Sequence, residues 1–183
     1  RLGLNTIMVA TVGNDGFGSY ITERLSSVGV NTNHLNVLEN KSTSVIFVSR
    51  SEVTPDFIPY RSADCCIYEE QISSEILSNT KIFHTTCFAL SKNPAQKTIL
   101  KKAQEAHDLG CKLSIDLNYA KKLWKSQKKA FKVIKTYCQF NPLIKISEDD
   151  MLRLFEKELP HEEIFDFFHH QGVDTVCLTL GSK

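Results

Sequence analysis

The sequence predicts an α/β fold, a mostly parallel sheet flanked by helices, and three observations carry that prediction. Short apolar, strand-like runs recur towards the C-terminus: "KIFHTTC" (81–87), "CKLSIDLN" (111–118), "LIKIS" (143–147) and "TVCLTLG" (175–181). Stretches with helical spacing of apolar residues separate them, and such alternation implies parallel strands joined by crossover helices. A further pair of runs, at 43–68, breaks the rhythm and is expected to lie outside the sheet.

Size and composition fit one domain over 1–183. The 183 residues, 42% hydrophobic and 23% charged, suffice to bury a core without disulfides or metal. A net charge of +1 provides no field that would favour nucleic acid or an anionic membrane. No run of 18 apolar residues offers a membrane span. Six cysteines, at 65, 66, 87, 111, 138 and 177, include no C-x-x-C pair. Most lie in apolar stretches, as Cys177 does in "VCL", and read as buried thiols of a reducing compartment.

The elements follow in order. Residues 6–12 are an apolar, β-branched run suited to a buried strand. Phe17, Ile21, Leu25 and Val28 recur at helical spacing, and Gly29 caps that helix. "TSVIFVSRS" (43–51) and "DFIPYRSADCCIY" (56–68) read as two strands around a turn at Pro55, with Pro59 implying an edge position. Residues 81–87 are a strand. The helix after it starts with Asn93 as N-cap, Pro94 at its first position and Gln96 closing a capping box; Gly110 ends it. Strand 111–118, an amphipathic helix over 126–138, strand 143–147, two helices broken at Pro160 and strand 175–181 complete the chain. "RLG" opens like the tail of a helix and "VCLTLGSK" stops just past a strand, which suggests a piece of a longer chain.

The stretch "VATVGNDGFGSY" (9–20) resembles a phosphate-binding turn, but its G-x-x-G-x-G spacing is not the dinucleotide fingerprint, and no P-loop motif occurs. Gly13, Gly16 and Gly18 read instead as glycines of a tight turn and close helix packing. Ligands of open α/β sheets bind beyond the strands' carboxyl ends. Here those ends carry Gly13–Asp15, Thr85–Cys87, Asp116–Asn118, Ser147–Asp150 and Thr179–Ser182, a polar row along one edge. "HEEIF" lacks the second histidine of a zinc motif, since residue 165 is Phe. His169 and His170 suit a helix C-terminus. Lys121, Lys125, Lys128, Lys132 and Lys135 form a solvated helix face, with Trp124, Phe131 and Ile134 towards the buried side.

Together these segments resemble the ribokinase-like (PfkB) family of carbohydrate kinases. The matching stretches are "TVGNDGFGSYITERLSSVGVNT", "FIPYRSADCCIY", "HTTCFALS", "SIDLNYAKKLW", "IKISEDDMLRLF" and "VCLTLGSK", in the family's order. The resemblance implies a ribokinase-like sheet with a small β lid, part of which would be residues 43–68. It implies a cytoplasmic kinase that moves the ATP γ-phosphate to a sugar hydroxyl with Mg2+, and a homodimer formed through the lid. By resemblance, Tyr60, Arg61, Phe88, Asp116 and Asn118 face substrate, and Thr179, Gly181 and Ser182 open the nucleotide site. Ser147 and Asp150 match a polar–x–x–acid motif that helps place magnesium; the shorter Ser and Asp weaken direct metal contact. Ala120 stands where sugar-acid kinases tend to carry Arg after D-x-N, which favours a neutral ketohexose such as fructose over 2-keto-3-deoxygluconate, although Arg61 keeps the acid open. The family's glycine-rich sugar segment and its G-A-G-D segment, with the catalytic base and anion hole, have no match in these residues. The isolated chain is therefore expected to be inactive. A truncated, non-catalytic sugar-binding or interaction module is the alternative; a nicotinamide oxidoreductase fits poorly.

Overall fold

A computed structural model describes residues 3–49 and 56–181. The chain divides into two compact units, Arg1–Ile72 and Ser73–Lys183.

In the first unit, β1 (Ala10–Gly13) pairs in parallel with β2 (Leu35–Leu38). An isolated bridge between Ile7 and Asn31 extends that pairing upstream, so the expected strand at 6–12 is present in two pieces. β2 was not expected from sequence, because "NTNHLNVLEN" is rich in Asn, which is depleted in strands. Its backbone partner on β1 overrides that weak preference. Helix α1 (Gly16–Ser27) connects the two, with Asp15 as its N-cap.

β3 (Val45–Ser49) and β4 (Asp56–Tyr60) form the antiparallel hairpin of the lid, with Pro59 opposite Ile46. The hairpin has only two strands, so Pro59 occupies an edge, as expected. The Pro55 turn lies outside the described residues. The second strand ends at Tyr60 rather than near residue 68, and the chain coils into a short 3-10 turn at Ala63–Cys65. The Ser44 hydroxyl explains the change, since it accepts from the N–H groups of both Ser62 and Asp64 and draws them out of the ladder.

The second unit opens with a short helix α2 (Ser74–Ser78) and holds four parallel strands in sequence order: β5 (Ile82–Thr86), β6 (Lys112–Asp116), β7 (Leu143–Ser147) and β8 (Val176–Thr179). Helix α3 (Ala95–Asp108) joins β5 to β6, α4 (Gln127–Cys138) joins β6 to β7, and α5 (Glu148–Phe155) with α6 (His161–His169) joins β7 to β8. The centre of one sheet face is buried through Leu113, Ile115, Ile144 and Ile146. Each such side chain contributes roughly 1.5–3 kcal/mol by leaving water. The alternate positions, among them Ser114, Asp116, Lys145 and Ser147, are only half-buried.

Details of this unit depart from expectation in two places. Helix α3 begins at Ala95 with Pro94 in the capping position and no side-chain cap. Asn93 therefore does not cap it, and Gln96 closes no capping box, because its Nε2 donates instead to the buried Leu90 carbonyl at 2.5 Å. Cys177 is exposed, whereas the other five cysteines are buried. The period-2 alternation of β8 puts Cys177 opposite Lys145 on the polar face, which the apolar letters around it conceal. The helix break falls at Glu156, in the left-handed region at φ 56°, ahead of Pro160. Ile134 is buried and Lys128, Lys132 and Lys135 are exposed, as the spacing of α4 requires; buried Trp124 and exposed Lys121 and Lys125 precede that helix, so the lysines do not share one helical face. Phe131 meets Phe155 and Phe167 edge-on at 5.4 and 5.8 Å, tying α4 to α5 and α6.

Candidate functional site

The glycine turn of the first unit is a structural clamp. A Cβ on Gly13 would lie 2.3 Å from the Lys41 carbonyl oxygen, and one on Gly18 would lie 2.1 Å from the Gly13 carbonyl oxygen. Both positions exclude any side chain. Gly16 is different: nothing lies within 4 Å of its would-be Cβ, so the turn does not require it. The Gly13 N–H donates to Thr43 Oγ1 at 2.9 Å, and the Gly18 N–H donates to Asp15 Oδ1 at 2.9 Å. Asp15 Oδ2 accepts from the Thr43 N–H at 2.7 Å. The N–H groups of Gly13 and Gly18, which a phosphate cradle would need, are thus engaged within the protein. The turn instead fastens the start of α1 to the root of the hairpin. Those amides hold the Asp15 carboxyl below its ordinary range, the Thr43 N–H contributing most.

Above this clamp lies a cleft of about 1240 Å³. Phe17 and Tyr20 of α1 form one wall, and Val45, Phe47, Pro59 and Tyr60 of the hairpin form the other. Phe47 and Tyr60 pack edge-to-face with centroids 5.7 Å apart. Asp15, Thr43, Arg61 and Ser62 supply polar groups at the base. Tyr60 and Arg61, the two lid residues expected at substrate, therefore line one cleft. Arg61 is not a freely offered cation: its Nε donates to Asp64 Oδ2 at 2.7 Å, a terminal nitrogen lies 2.5 Å from the same carboxylate, and its side chain is 7% exposed. Ser44 Oγ donates to the other Asp64 oxygen.

The second unit gathers the remaining candidates at the carboxyl ends of its strands. Register places Thr86 beside Asp116, Asp116 beside Lys145, and Ser147 beside Thr179. Lys145 Nζ lies 3.2 Å from Asp116 Oδ1, the same oxygen that accepts from the Asn118 N–H at 3.3 Å. Phe88 follows β5, half-buried in the turn before α3, and Asn118 is exposed just beyond β6. Gly181 follows β8 at φ +66°, a conformation side-chain-bearing residues rarely adopt. Ser182 lies outside the described residues.

Ser147 and Asp150 form a capping box at the start of α5. Asp150 is 3% exposed. Its Oδ1 accepts from the Tyr119 N–H at 3.0 Å, and its Oδ2 accepts from Ser147 N–H at 3.1 Å and Ser147 Oγ at 2.6 Å. Both carboxylate oxygens are therefore occupied, and the residue positions the D-x-N loop against α5. Among the described residues no group of three or more His, Cys, Asp or Glu side chains could hold a metal ion, so an all-protein cage for magnesium is not built from them. No helix among the described residues is long and apolar enough to cross a membrane.

Sequence reading missed Lys145, Asp64 and Tyr119. A charged residue inside "LIKIS" was the available signal for Lys145, because alternation puts it on the face of Asp116 rather than in the core.

A parallel sheet with a polar carboxyl edge, and an aromatic cleft under a β-hairpin, mark a small-molecule-binding α/β protein. Residues 1–183 match the pfkB family carbohydrate kinases over their whole length, and the chain belongs to that family. It is 32% identical over 180 residues to an ATP-dependent 6-phosphofructokinase of Thermoanaerobacterium thermosaccharolyticum, covering 98% of this chain and 55% of that relative. The fructokinase of Halothermothrix orenii superposes with a TM-score of 0.91 at 31% identity, over 100% of this chain and 65% of that one. A sugar kinase of Pyrococcus horikoshii in complex with ATP gives 0.81 at 26% identity, over 100% of this chain and 58% of that one. The chain thus spans between 55% and 65% of the length of these three relatives. The ribokinase-like fold with its small lid, expected from the ordered motifs, is the fold of these neighbours.

Proposed function

We propose that the protein to which these residues belong transfers the γ-phosphate of ATP to a hydroxyl of a neutral hexose or keto-sugar, fructose-like rather than acidic. The observation that carries this reading is the row of Asp116, Ser147 and Thr179 on adjacent strand ends of one parallel sheet in a carbohydrate kinase chain. Thr179, Gly181 and Ser182 receive the nucleotide. Asp116, held by Lys145, and Asn118 orient the acceptor sugar, with Phe88 close to it. Within the first unit, Tyr60 and Phe47 present aromatic faces to the cleft under the hairpin, which suits an apolar sugar face. A neutral substrate follows from Arg61, whose charge is already matched by Asp64, and from Ala120 at the position where an acid-binding arginine would stand. Magnesium arrives with the nucleotide, its oxygens coming from phosphate and water.

Ile46 and Val48 are exposed on the hairpin face opposite Phe47 and Tyr60, and we assign them to a homodimer contact through the lid. The reading places the protein in the cytoplasm, with neither nucleic acid nor membrane as partner.

The test is phosphorylation by the natural full-length protein with ATP, fructose and 2-keto-3-deoxygluconate, read by mass spectrometry of the sugar. Fructose phosphate is expected, with the acid at least about tenfold poorer, the cost of roughly one unmatched charge contact. Faster turnover of the acid overturns the substrate assignment. Fructose binding without ADP formation establishes the non-catalytic module instead. The 183 residues alone are expected to form no product, since they contain no G-A-G-D segment to supply a base.

A further inference from the structure

Cys65 and Cys66 are neighbours in the turn after β4, and both are thiols. Cys65 Sγ donates to the Ser62 carbonyl at 3.1 Å, and Cys66 Sγ donates to the same oxygen at 3.8 Å. Neighbouring side chains on a strand point to opposite faces. Here the turn brings both sulfurs to one side of the backbone. The Tyr68 hydroxyl lies beside Cys66, whose proximity raises the Tyr68 pKa. Tyr68 is 39% exposed and walls a surface pocket of about 360 Å³ with His34 and Glu70. The pair, each residue 6% exposed, therefore lies behind a side chain that itself meets solvent. Cys87 and Cys138 are buried deeper, at 0% and 1% exposed, and burial pushes both thiols up to about 12.

We infer that Cys65 and Cys66 form a dithiol site for a soft trivalent thiophilic centre, an organic arsenical being the chemical class. Closure of the pair on itself is disfavoured. Adjacent Cα atoms lie about 3.8 Å apart across a trans peptide, inside the roughly 4.4 Å lower bound of ordinary disulfides. A third, larger atom between the sulfurs relieves that constraint. Sulfur is also the ligand that soft centres select. An arsenoso group, R–As=O, reacts by forming two As–S bonds while the As=O bond breaks; its oxygen leaves as water with both thiol protons, and no electrons are transferred. The second bond forms within one molecule, so the adduct resists competing monothiols. Capture consumes both donors to the Ser62 carbonyl, next to Arg61 and Asp64 at the hairpin root. The site does not depend on the kinase reading.

Phenylarsine oxide added to the purified chain, followed by intact mass under native conditions, tests this. One adduct per chain is expected, stable to excess 2-mercaptoethanol and removed by 2,3-dimercaptopropanol. Cys65→Ser and Cys66→Ser should each lower retention against the monothiol at least tenfold, whereas Cys177→Ser should not change it. Peptide mapping of the wild-type adduct reads the same point if either variant fails to fold, with arsenic expected across residues 65 and 66. No adduct, an adduct mapped to other cysteines, or full retention in both single variants overturns the inference.

Discussion

Replacing Asp150 with alanine should destabilise the 73–183 unit severely, and the size of the effect follows from its hydrogen bonds. The substitution strands the Tyr119 and Ser147 N–H groups, whose acceptors are the two oxygens of this one buried carboxylate. The buried Tyr119 N–H and the half-buried Ser147 N–H, the latter the lost arm of the capping box, each cost about 1–3 kcal/mol when orphaned. The total is about 2–6 kcal/mol, a large part of the stability of an ordinary domain. At about 4 °C per kcal/mol, the melting temperature falls by about 8–24 °C. Asp150→Asn should recover less than half of this. One amide oxygen can serve Tyr119, but the NH2 group then faces the Ser147 N–H, donor against donor. Thermal melts followed by circular dichroism give the loss, and amide hydrogen exchange at Tyr119 and Ser147 locates it. A fall below about 3 °C in Asp150→Ala would refute the reasoning, since it would mean that the carboxylate is not committed to those donors and is available to a ligand.

Three further outcomes follow from the first unit and the thiols. Gly18→Ala should lower the unfolding free energy in urea titrations by about 2–3 kcal/mol or more, because its Cβ meets the Gly13 carbonyl oxygen at 2.1 Å; Gly16→Ala, in open space, should be neutral or stabilising by about 0.4–1 kcal/mol. Equal effects of the two would contradict the clamp. The Asp15 carboxyl is lowered in the folded chain, chiefly by the Thr43 N–H, so its contribution is fully present above the unfolded value near 3.8 and disappears as pH falls through the lower folded value. Asp15→Asn should flatten that acid limb in denaturant titrations between about pH 5 and pH 2.5, and an unchanged limb would show that the bond does not titrate with stability. A bulky maleimide at pH 8 should label exposed Cys177 first and leave Cys87 and Cys138, raised to about 12 by burial, unmodified until the chain unfolds; equal labelling rates would contradict the burial.

The parallel sheet was legible because its strands are apolar, β-branched and separated by capped helical stretches, and period-2 and period-3.6 patterns are local properties. β2 was not, because its residues are poor strand formers and only a partner more than twenty residues away makes them pair. The end of β4 was hidden for a related reason: the Ser44 hydroxyl that stops it comes from the other side of the hairpin. At the site, residue types at strand ends could be read, but their allegiance could not. Arg61 looked available until Asp64, three residues on, was seen to hold it. Asp150 read as a weak, water-mediated metal contact, and its letter did not show that Tyr119 and Ser147 already donate to its two oxygens. Such pairing depends on rotamers and turns, which spacing alone does not encode.

The separation between clamp and cleft matters for anyone wishing to alter the substrate range. Gly13, Asp15, Gly18 and Thr43 interlock through backbone N–H groups donating to the Asp15 carboxylate and the Thr43 hydroxyl, and leave little room for variation. Phe17, Tyr20, Phe47 and Tyr60, by contrast, project from rigid elements with most of their surface open. A combinatorial library confined to those four positions would change the shape and polarity of the cleft while the scaffold beneath it stays intact. Diversity placed at Gly13, Asp15 or Gly18 of the adjoining turn would yield mostly unfolded clones.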